Sequence, residues 1–151
     1  MPDYAGAKAA IRERFEDGWA DRTRIAFINE DPEQPWPPKR DSGGPAPWTL
    51  IEIKGSGSGI WTFGTDGNRG WRYDGVILAH IYTPVGEGTD EADELAVAAG
   101  EIYRAAKFYD DVEGYYVRTL APEVLDGEDG DEDGKWFVTT MTVEFTYWHR
   151  G

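Results

Sequence analysis

The sequence predicts an α+β fold: a largely antiparallel sheet packed against two helices, with a proline-rich arm and long hairpin loops. Three observations point there. Two stretches repeat apolar residues at helical spacing, and six shorter segments are rich in β-branched and aromatic residues. Their order along the chain, α-β-β-β-β-α-β-β, is that of an α+β domain built on a largely antiparallel sheet.

Tyr4 to Asp21 is the first expected helix, because Ala7, Ile11, Phe15 and Trp19 recur every four residues and form one apolar stripe. Lys8, Arg12, Glu13, Arg14, Glu16 and Asp17 occupy its other faces. Thr23 to Ile28 is a short strand with Ile25 and Phe27 on one side. Residues 29–47 then hold six of the nine prolines together with Gly43 and Gly44, so they cannot pair as a central strand and form a loop or arm. Trp48 to Lys54 alternates, with Ile51 and Ile53 on one face and Trp48 and Leu50 on the other. Gly55 to Gly59 is expected to be a flexible hairpin tip before a strand at Ile60 to Phe63. A second glycine-rich turn, Gly64 to Gly70, leads into a long strand from Trp71 to Thr83, apolar on both faces from Val76 to Tyr82 and therefore central.

The second helix is expected from Thr89 to Tyr109. Thr89 or Asp90 suits its N-cap, Asp90, Glu91, Asp93 and Glu94 suit the positive end of its dipole, and Ala92, Leu95, Ala96, Ala99, Ile102, Tyr103 and Ala106 give the buried stripe. Tyr115 to Leu120 is a further strand, Asp126 to Gly134 an acidic loop, and Lys135 to Trp148 the last strand, with Phe137, Met141, Val143, Phe145 and Tyr147 on one face.

A chain of 151 residues fits one domain spanning 1–151. Aromatic residues make up 14% of it, too many for a disordered chain and well suited to sheets and subunit contacts. Fifteen basic residues face 29 acidic ones, a net charge of −14. Nucleic-acid affinity comes mainly from Lys and Arg neutralising phosphates, so this balance argues against a nucleic-acid binder, and equally against binding to an anionic membrane. Zero cysteine excludes disulfides, thiolate metal sites and a cysteine nucleophile. The first residues show neither a basic nor an apolar leader pattern, and no run reaches 18 apolar residues, so an intracellular, non-membrane protein is expected.

Signals for catalysis are weak. Ser42, Ser56 and Ser58 all lie in glycine-rich loops, and Gly55 to Gly59 lacks the Lys-Ser/Thr of a phosphate loop. His80 falls mid-strand among apolar residues, where a hydrogen-bonded structural role is the expected one; His149 is expected to face solvent or a partner. Asp129, Asp131, Asp133 and Gly134 match the first half of a calcium loop, but its twelfth position is Thr140 and its flanks read as strands, so a solvated, self-repelling loop is expected instead. No catalytic residue, metal or cofactor is therefore assigned.

The candidates are interaction residues. Trp36 lies in the proline-rich segment, either tucked back on the domain or docked on a neighbour. Trp61 and Trp71 border glycine-rich turns, where exposure is expected unless a partner covers them. Asp126, Glu128, Asp129, Asp131, Glu132 and Asp133 place six carboxylates in nine residues, a candidate contact for a basic partner.

Three stretches resemble the phage tail terminator family, the lambda-type minor tail or tail-completion proteins of long-tailed phages and phage-derived particles. They are the opening amphipathic helix, strand and proline-rich stretch ending in Trp48-Thr49-Leu50; the strand running into Ile81-Tyr82-Thr83-Pro84-Val85-Gly86-Glu87-Gly88 before a helix with Ala92, Leu95 and Ala96; and the closing strand from Trp136-Phe137 through Val143-Glu144-Phe145-Thr146-Tyr147. The acidic run and the Gly55 to Gly59 stretch are not part of that pattern. The resemblance implies a structural virion protein, not an enzyme, assembled in the host cytoplasm and located at the tail-neck junction. It would form a homo-oligomeric ring, a hexamer, on the head-proximal end of the tail tube. The ring would stop polymerisation of the tube protein and join the head-completion (stopper) protein, with DNA passing through unbound. A neighbouring neck or head-closure protein, or a small ligand-binding α+β domain using His80 and nearby carboxylates, are the alternatives.

Overall fold

The computed structural model describes residues 2–129 and 134–151. The chain runs α1 (Tyr4–Trp19), β1 (Arg24–Phe27), β2 (Trp48–Ile60), β3 (Gly70–Pro84), α2 (Asp90–Tyr103), β4 (Lys107–Phe108), β5 (Tyr116–Asp129) and β6 (Trp136–Arg150). The strands form one mixed, curled sheet in the order β1-β2-β3-β6-β5-β4. Only β1 and β2 pair in parallel; the other four pairings are antiparallel, so the α+β class holds with one parallel exception at the edge.

Both helices lie on one face of the sheet. Asp3 caps α1, its carboxylate accepting from the Gly6 N–H at 2.7 Å. Arg22 closes the other end by donating to the carbonyls of Gly18 and Trp19. The stripe Ala7, Ile11, Phe15 and Trp19 is fully buried, against Ile51, Ile77, Ala79, Ile81, Val117, Met141, Val143, Phe145 and Tyr147 from the sheet and Ala96, Ala99 and Tyr103 from α2. The Tyr103 hydroxyl donates to the Ile11 carbonyl at 2.6 Å, tying the two helices together in the core. Burial of the phenols pushes the Tyr103 and Tyr147 pKa values up, so both stay neutral. Gly75 lets β3 pass under this layer: a Cβ there would meet the Phe145 ring and the Lys54 carbonyl at 2.6 Å.

Four boundaries differ from the sequence expectation. Gly55 to Gly59 is no hairpin tip but a continuation of β2, bulged once and paired to Arg72–Gly75. Backbone pairing needs no side chains, so the glycine-serine run extends the ladder and moves the tip to 61–69. Of the strand expected at Ile60 to Phe63, only Ile60 is in a strand. Helix α2 stops at Tyr103 rather than Tyr109: Ala105 and Tyr109 take positive φ, and Thr119 bonds the Ala106 N–H and the Tyr103 carbonyl, turning the chain into β4. Finally, the strand expected to end at Leu120 continues to Asp129, so Asp126 to Asp129 belong to β5, with Glu128 opposite Val138 and Asp129 opposite Phe137. Charged residues are accepted there because this half of β5 is the outer edge of the sheet.

Candidate functional site

Among the described residues, the second face of the sheet carries no helix. Period-two alternation brings to it Trp48, Leu50 and Glu52 of β2, Arg72, Val76, Leu78, His80 and Tyr82 of β3, Thr140, Thr142 and Trp148 of β6, and Tyr116 and Arg118 of β5. Where the opposite face of β3 is buried from Gly75 onward, Val76, Leu78, His80 and Tyr82 remain partly exposed.

Its upper end is an aromatic cluster. Trp48 and Tyr82 stack with centroids 3.9 Å apart, and Trp36 and Trp136 meet Trp48 edge-on at 5.1 and 5.9 Å. Trp36 is thus tucked back on its own domain, under the Arg24 guanidinium, which also donates to the Pro35 carbonyl. The proline-rich segment is held further along by Arg40, which pairs with Glu87 at 2.9 Å and with Glu91 at the start of α2 at 3.2 Å.

Mid-face, the His80 ring is held at both nitrogens, Nδ1 to the Thr140 hydroxyl at 3.0 Å and Nε2 to Glu52 at 3.1 Å. This is the hydrogen-bonded histidine expected from its setting. It lines neither of two large grooves, one of about 520 Å³ between α1 and α2 around Arg14 and Phe108, the other of about 570 Å³ beneath the proline-rich segment.

The lower end is a row that crosses five segments. Arg72 lies over Trp61 at 4.6 Å and over Trp148 at 5.8 Å, Tyr116 tilts against Trp148 at 6.1 Å, and Lys107 lies over Tyr116 at 4.8 Å. Arg118 stands opposite Lys107. Trp61 is 60% exposed and Phe63, on the same hairpin tip, is entirely exposed.

The sequence candidates therefore separate. Trp36 sits at the upper end and Trp61 at the lower. Trp71, expected to be exposed, is partly buried near the sheet's end: its indole N–H donates to the Gly151 carbonyl at 3.2 Å. His149 also differs, packing edge-on against Tyr115 and bonding the Tyr147 hydroxyl at 3.1 Å. Asp126 and Glu128 are exposed at the upper end of β5, in the corner nearest the Trp48 row, and Asp129 ends the strand. Asp131, Glu132 and Asp133 lie outside the described residues. Among the described residues no group of His, Cys, Asp or Glu could hold a metal ion, and no helix is long and apolar enough to cross a membrane. Arg72, Tyr116, Trp148, Lys107 and Arg118 escaped the sequence reading; the alternation of Tyr116 with Arg118, and of Trp148 with Thr146, was the available signal.

No family model matches the chain, and no curated protein matches it. Its fold is shared by solved structures. One of them superposes with a TM-score of 0.58 over 93% of this chain and 94% of that one, at 16% identity, and its name carries no description of an activity. At that identity the likeness is one of fold.

Proposed function

We propose that this chain is a tail terminator: a structural subunit that assembles into a ring, a hexamer, on the head-proximal end of a phage-type tail tube. It ends tube polymerisation there and joins the tail to the head-completion protein. The observation that supports this best is the helix-free sheet face, with aromatic clusters at both ends and Arg72 between two tryptophans. Trp, Tyr and Arg are the residues that dominate binding energy at protein interfaces. A ring needs two different patches on each subunit, and the two ends of this face differ in composition. The net charge of −14 also suits the wall of a channel that passes DNA without holding it. Trp61 and the acidic residues from Asp126 to Asp133 are proposed as partner contacts on the same reading, and Trp36 and Trp71, which pack on their own domain, only through the edges they leave exposed.

The test is deletion of the gene followed by imaging of particles. Overlong, headless tails are expected. Tails of normal length separated from heads would identify a neighbouring neck protein instead.

A further inference from the structure

The two ends of the open face carry opposite charge. At the lower end Lys107 and Arg118 are exposed, and among the described residues neither has an ion-pair partner; Arg72 beside them is already paired with Asp74 at 2.7 Å. Along the upper half of β5, Glu123, Asp126 and Glu128 are exposed, again with no cation against them among the described residues. Glu123 and Glu128 stand opposite Thr142 and Val138, on the same face as the lower row. A single subunit cannot bring its own two ends together, because they lie at opposite ends of one ladder. A second copy can.

We propose that the row formed by Trp61, Arg72, Trp148, Tyr116, Lys107 and Arg118 is a docking surface for the acidic end of β5 in a second copy of this chain. The inference deepens the ring reading and rests on it for the choice of occupant. Charge complementarity selects that occupant. The row offers two cations, without ion-pair partners among the described residues, to a strand with three exposed carboxylates, on a chain whose net charge of −14 makes copies repel elsewhere. Single-stranded nucleic acid, which also stacks on aromatic rows, is disfavoured by the same −14 background. The rings supply contact area, and the charges set the register and the direction of the pairing.

Sedimentation of four proteins tests this: the wild type, Lys107→Glu/Arg118→Glu, Asp126→Lys/Glu128→Lys, and the combination of all four changes. All the substitutions are at exposed positions, and the neutral pair Lys107→Gln/Arg118→Gln provides a milder second variant. The wild type is expected to self-associate more weakly as salt rises from about 0.15 M. Each reversed pair should weaken association by roughly tenfold or more, the Gln pair by less, and the fourfold reversal should restore it. Equal association in all four proteins would overturn this assignment and leave the ring reading standing. Dimers that follow the same charge rule would keep the assignment and remove the ring. A wild type that stays monomeric, both alone and on purified tail tubes, would take down both. Binding of a labelled oligothymidine to the wild type, lost in Lys107→Glu/Arg118→Glu, would make nucleic acid the occupant and overturn the second copy.

Discussion

Strands β3 and β6 carry bulky side chains on both faces, yet the two faces of their sheet end in different states. On one, Ile77, Ala79, Ile81, Met141, Val143, Phe145 and Tyr147 are buried beneath two helices. On the other, Val76, Leu78, His80, Tyr82 and Trp148 stay partly exposed, with polar groups set among them. The difference lies in what each face does. The helix-covered face removes nearly all its apolar area from water and supplies the stability. The open face retains apolar area whose removal from water needs another molecule, with charges and hydrogen-bonding groups set among it.

Substitutions should separate the two faces. The largest loss of stability is expected from Phe145→Ala, which empties space under Gly75 in the closed layer. It should cost about 3–5 kcal/mol in urea unfolding. Trp61→Ala should do the reverse. Its ring is mostly exposed, so stability should change by about 1 kcal/mol or less, while capping of tail tubes weakens by about 2 kcal/mol or more. A Trp61 variant that unfolds would place that residue in the core.

Alkaline titration probes the closed face through its two buried phenols. Tyr103 and Tyr147 resist ionisation when folded, whereas in the unfolded chain they lose their protons near pH 10. Above that pH the unfolded state binds fewer protons than the folded one, so stability falls as pH rises past about 10. Tyr103→Phe should flatten the fall while costing about 1 kcal/mol at neutral pH, for the lost bond to Ile11. An unchanged slope in urea midpoints between pH 9 and 11 would count against burial as the cause. The smallest effect is expected from His80→Gln, which keeps a polar group between Thr140 and Glu52 and should leave capping intact. A folded His80→Gln protein that lost all capping would revive a chemical role for the imidazole.

The closed face was the legible one. Four-residue spacing in α1 and alternation in β6 name core residues directly, because burial on one side leaves a periodic trace; β3, apolar on both faces, shows only that it is central. Gly55 to Gly59 and Asp126 to Asp129 read as loops in the sequence, and as strand in the structure, for a shared reason. Their composition disfavours strands, but β3 and β6 supply the pairing, and neither stretch has to bury a side chain. The end of α2 was missed because a threonine from β5 turns the chain, not a glycine in the helix itself. The lower row could not be read as a unit: Trp61, Arg72, Lys107, Tyr116 and Trp148 come from five segments, and only the sheet register makes them neighbours.

The division of labour between the faces is tested most directly by hydroxyl-radical footprinting of the protein alone and on capped tail tubes. Trp61, Phe63, Tyr116 and Trp148 should lose reactivity on the tubes, while Val97, exposed on α2, should keep its own. Protection of Val97 with Trp61 and Phe63 unchanged would mean that the helical side makes the contacts, and would contradict the account.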